Sequence, residues 1–112
     1  MMPTQSNENI AAVTANWISV KKNYKTDLAA AEDDDQRSAI TENRRAAELA
    51  YLDAVRKGLS GSGMAEALAA LKAANAAVKD SRENGESIGR LLVKAKDATE
   101  KATKLVAKAG GG

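Results

Sequence analysis

The sequence predicts an all-α fold, an antiparallel up-down four-helix bundle made of two helical hairpins joined by a Gly/Ser loop. Three observations carry that prediction. Of 112 residues 24 are alanine, and Ala, Glu, Lys, Leu and Arg together make up about half the chain, the composition of long helices and bundles. The large apolar residues recur at helical spacing in four separate stretches. Turn formers divide those stretches into segments of similar length: the acidic run Glu32 to Asp35, the loop Gly58 to Gly63, and Asn84-Gly85.

The first helix, expected over 7–31, carries Ile10, Val13, Trp17, Val20, Tyr24 and Leu28 on one stripe, with Ala31 close to it. Ser6 or Asn7 can cap it, and Glu8 falls in the first turn, where the helix dipole favours an anion. The second, over 35–57, starts at the aspartates and places Ile40, Ala47, Tyr51, Ala54 and Val55 on its inner face. Leu52 widens that face, Leu49 lies off it, and Gly58 ends the helix. The third, over 63–83, runs Met64, Leu68, Leu71, Asn75 and Val78 in alternating steps of four and three. The fourth, over 86–109, carries Ile88, Leu91, Leu92, Ala95, Ala98, Thr99, Ala102, Leu105 and Val106. The third and fourth are separate helices because the stripe loses its phase at Asn84-Gly85, where Gly85 supplies a left-handed terminator. The whole chain, 1–112, reads as one domain with flexible tails at 1–6 and 110–112, and the Gly/Ser connection as a hinge.

The core is thin. Leu, Ile and Val number 19 and Phe is absent, so a few large side chains must supply most of the burial energy and modest stability is expected. Trp17, Tyr24 and Tyr51 are read as core, not as a ligand-stacking surface. Asn75 interrupts an apolar stripe, either to fix register or as a partly exposed residue at a seam.

Composition also bounds the chemistry. His and Cys are absent, which removes disulfides, thiol catalysis, Cys/His zinc sites and imidazole-based catalysis. The acidic run lacks the alternating ligands and central glycine of a calcium loop, and Gly63 is followed by Met64-Ala65, not by the Lys-Ser/Thr of a phosphate-binding loop. No enzyme, cofactor, metal or small-molecule substrate is therefore expected. The stretch Lys94 to Lys104, KAKDATEKATK, resembles one unit of the eleven-residue motif of late-embryogenesis-abundant desiccation proteins, but it occurs once, and the Trp-bearing first helix and segmented stripes read as a folded bundle.

Two surfaces stand out. Opposite the stripe of the third helix lie Ala69, Ala73, Ala76 and Ala77, an outward face almost free of charge, read as a docking surface for another protein or for a second copy of the chain. On the fourth helix Arg90, Lys94, Lys101, Lys104 and Lys108 lie opposite the apolar stripe, suited to nucleic acid or an anionic membrane surface, with Asp97–Lys101 and Glu100–Lys104 pairs reducing the field. The leading expectation is a non-enzymatic protein acting through protein–protein interaction, as an adaptor, a chaperone-like partner or a leaderless-secreted helical protein. The alternative is a weak anionic-polymer binder working through the fourth helix. No Sec signal or transmembrane stretch is expected, which makes the cytoplasm the default compartment, with leaderless secretion left open by the polar segment Met1 to Ile10.

Overall fold

Four helices account for the architecture of the computed structural model, which describes residues 5–59 and 64–110, with side chains placed for 8–59 and 64–108. They are α1 (Gln5–Ala30), α2 (Asp34–Lys57), α3 (Ala65–Glu83) and α4 (Ile88–Gly110). The terminal residues of the predicted tails and the middle of the Gly/Ser connection, 60–63, lie outside the described residues.

The termini follow the chain's turn chemistry. Asp33, in extended conformation, caps α2 by accepting the Gln36 N–H at 2.8 Å. Gly58 ends α2 with φ +79°, and its N–H returns to the Ala54 carbonyl. Gly85, at φ +66°, turns the chain between α3 and α4 as the phase break requires. Three expected starts shift by two residues, the fourth helix beginning at Ile88 and not at 86. The first helix begins at Gln5, so Ser6 and Asn7 lie inside its first turn and not at a cap; no breaker stands between Gln5 and Glu8 to delay it. The third begins at Ala65, because Met64 turns its side chain into the core and leaves α3 without a side-chain cap.

Consecutive helices run in opposite directions and form two hairpins, α1–α2 and α3–α4. The hairpins dock with α2 beside α4 and α1 beside α3, while α2 and α3 make no contact among the described residues. The connection from α2 to α3 therefore crosses the diagonal of the bundle, and each docked pair of helices between hairpins is parallel. The molecule measures 45 × 24 × 20 Å, an elongated body set by helix length.

The connection's two described ends are anchored, while the middle of the expected hinge, 60–63, lies outside the described residues. Leu59 and Met64 are fully buried, and Asn9 ties them together, its side-chain amide donating to the Leu59 carbonyl at 3.0 Å and to Met64 Sδ at 3.6 Å. Leu59 sits at φ +44°, a left-handed conformation unfavourable for a branched side chain, held there by its burial.

The core falls into two main clusters. One surrounds Val13, Leu59, Met64, Leu71 and Leu105, and the other surrounds Ile40, Val78, Ile88, Leu91 and Leu92. A third, smaller group holds Trp17, Val20 and Ala47. All nine stripe residues of α4 are buried. Trp17 is 8% exposed and stacks on half-buried Tyr51, with ring centroids 6.4 Å apart, so the indole is core as expected. The inner face of α2 needs correction. It centres on Ile40, Asn43, Ala47, Ala50 and Ala54, whereas Val55 is 56% and Leu52 53% exposed. Small residues on that face let α2 approach both α1 and α4, and the larger side chains turn outward.

Candidate functional site: the groove between α1 and α3

The two helices α1 and α3 meet through polar side chains as well as through the shared apolar core. At one end Lys72 faces Glu8, with Nζ 3.6 Å from the carboxylate, and Asn75 donates to the Ala12 carbonyl at 3.1 Å. At the other, Arg82 grips Asp27 with two parallel hydrogen bonds of 2.8 and 2.9 Å. That pair is largely shielded, the side chains 20% and 10% exposed, and its fork geometry orients both groups. Residues between the pins are too small to close the space. A groove of about 600 Å³ opens there, with Val20, Val78 and Ala95 toward the core and Ala15, Ile18 and Ala76 at its sides. Lys22, Asn23, Lys79 and Glu83 stand at the Arg82 end.

The alanine face of α3 adjoins this groove. Ala69, Ala73 and Ala76 are exposed and Ala77 is half-buried; of the four, Ala76 lines the groove. Asn75 is half-buried and bridges to α1, which places it at a seam between helices. A second, narrower groove of about 350 Å³ runs between α2 and α4 past Ala39, Ala46, Lys96, Thr99 and Thr103.

The basic face of α4 is divided by its pairing. Lys94 donates to Glu86 at 2.8 Å and Lys101 to Asp97 at 3.1 Å, while Arg90, Lys104 and Lys108 are exposed and have no ion pair among the described residues. Glu100 and Lys104 do not form the expected pair; both stand at the α2–α4 groove instead. The Glu86 carboxylate also accepts the Ser81 hydroxyl at 2.6 Å, and these two donors, Lys94 first, hold its pKa below the ordinary glutamate range. No described helix is long and apolar enough to cross a membrane.

The stripe pattern passed over the buried polar residues, of which Asn16 lines the groove and Asp27 holds Arg82 at its end. Asn9, Asn16, Asp27, Asn43 and Ser81 are buried polar residues, and their type alone does not reveal which side of a helix they face. Spacing held the signal: Asn9, Asn16 and Asn23 recur every seven residues along α1, beside its apolar stripe. No protein-family model matches the chain, and no curated protein or solved structure matches it, so the functional reading rests on the groove and on the surfaces beside it.

Proposed function

We propose that this chain is a non-catalytic protein-binding bundle, and that the α1–α3 groove with the adjoining alanine face of α3 receives a helix from another protein. The observation that carries the reading is the groove itself, an apolar trough held open between polar pins at both ends. Small residues on both walls, Ala15 and Ala76, permit the close backbone approach that helix-in-groove recognition uses. The exposed alanines Ala69 and Ala73 extend that contact beyond the rim.

Because the sequence contains no cysteine, an Ala76→Cys variant carries a unique thiol for a photo-crosslinker. In the native host the reading predicts one defined adduct at position 76, absent when the thiol is placed at Arg90 on α4. The adduct should disappear when Ala73→Glu puts a charge on the contact. Adducts equally abundant at both positions, or unchanged by Ala73→Glu, contradict it.

A further inference from the structure

The seam between α1 and α2 holds a cluster that neither the groove nor the core explains. The Arg44 guanidinium lies 4.8 Å from the centre of the Tyr24 ring and 5.9 Å from that of Trp17. Lys21 Nζ lies over the same indole, also at 5.9 Å, so Arg44 and Lys21 stand no more than about 12 Å apart. Arg44 is half-buried, with its Nε sealed from solvent and lacking a hydrogen-bond partner. Neither cation has an ion pair among the described residues, whereas Arg37, Arg56, Arg82, Lys94 and Lys101 all do. The Tyr24 and Trp17 rings restrict the plane of the Arg44 guanidinium. Lys21 is exposed, and its four-carbon stem can bring a second charge to the same anion. Lys25, one turn further along α1, is exposed and unpaired as well.

We infer that Arg44 and Lys21 form a binding site for a phosphoryl group. The two cations match a phosphate dianion in charge, the flat guanidinium fork matches two of its oxygens, and the lysine reaches a third. Glu48, one turn along α2 from Arg44 and exposed, is the acid on this flank, and it weakens the site from outside ion-pair distance.

Trp17 is the sole tryptophan and both cations lie over its ring, so its emission reports directly on the site. Inorganic phosphate and O-phosphoserine, titrated separately at constant ionic strength, are the probes. At least one should produce a saturable change in Trp17 emission that chloride does not. Saturation with phosphate alone identifies a free anion as the ligand, and tighter binding of phosphoserine identifies a phosphomonoester. Lys21→Ala, a surface change that leaves the fold intact, and Arg44→Lys, which keeps the charge but loses the fork, should each weaken binding about tenfold or more. Glu48→Gln should tighten it. An emission that drifts linearly with both probes, or saturation unaltered in Lys21→Ala and Arg44→Lys, overturns the site.

Discussion

Asn9, Asn16 and Asp27 sit on the buried side of α1, and each reaches a different neighbour: the α2–α3 connection, Thr99 of α4 at 3.3 Å, and Arg82 of α3. Apolar contacts on the same helix are tolerant of small rotations, but these polar ones are not, because a buried donor that loses its acceptor costs about 1–3 kcal/mol. The polar residues therefore define how α1 sits against the rest of the bundle. Asn9→Ala strips the Leu59 carbonyl of its donor and opens space beside Met64, and urea unfolding should show a loss of about 1–3 kcal/mol. Arg82→Ala leaves Asp27 shielded and unpaired, with an expected loss of about 3 kcal/mol; replacing both partners with leucine should cost less, since no charge is then stranded. Glu86 gives a pH signature. Its folded pKa is depressed, so its contribution is complete above the ordinary glutamate range and is lost as pH falls through the folded value. An NMR titration of the Glu86 carboxyl should show this depression, and Lys94→Ala should move the midpoint back up.

At the scale of the element, α4 was fully legible in the sequence and α2 was not. The stripe of α4 packs against three other helices, so every large residue on it has somewhere to go, and the amphipathic pattern maps directly onto burial. α2 packs against α1 and α4 through alanines, and the rule that large apolar residues mark the inner face then fails. Leu52 and Val55, 53% and 56% exposed, point outward while Ala47 and Ala54 have no accessible surface; Leu49, expected off that face, is 58% exposed. Substitution distinguishes the two faces. Leu52→Gln should change stability by no more than about 0.5 kcal/mol, whereas Ala54→Leu should cost about 1–3 kcal/mol by overpacking the α2 interface. Thermal denaturation of the pair reads the difference. The outward alanines of α3 were legible as a face from their spacing. The groove they border was not, because it depends on which helices become neighbours.

For the whole molecule, hairpin formation followed from segment lengths and turn residues, but the docking of the hairpins did not. Nothing in a stripe says whether α3 settles beside α2 or across the diagonal beside α1. That choice is carried by long-range polar contacts, Asn9 to Leu59, Asn75 to Ala12 and Asp27 to Arg82, which sequence spacing cannot pair. The proposed partner groove exists only in the diagonal arrangement, since it lies between α1 and α3. Nuclear Overhauser spectroscopy on the isotope-labelled full chain tests this most directly. The account predicts cross-peaks from the Asn75 side-chain amide protons to Ala12 and from the Asn9 amide protons to Met64, with none linking α2 to α3. Cross-peaks between α2 and α3, together with loss of the Asn75–Ala12 contact, would place the helices in sequential order around the bundle and contradict both the fold described and the groove built on it.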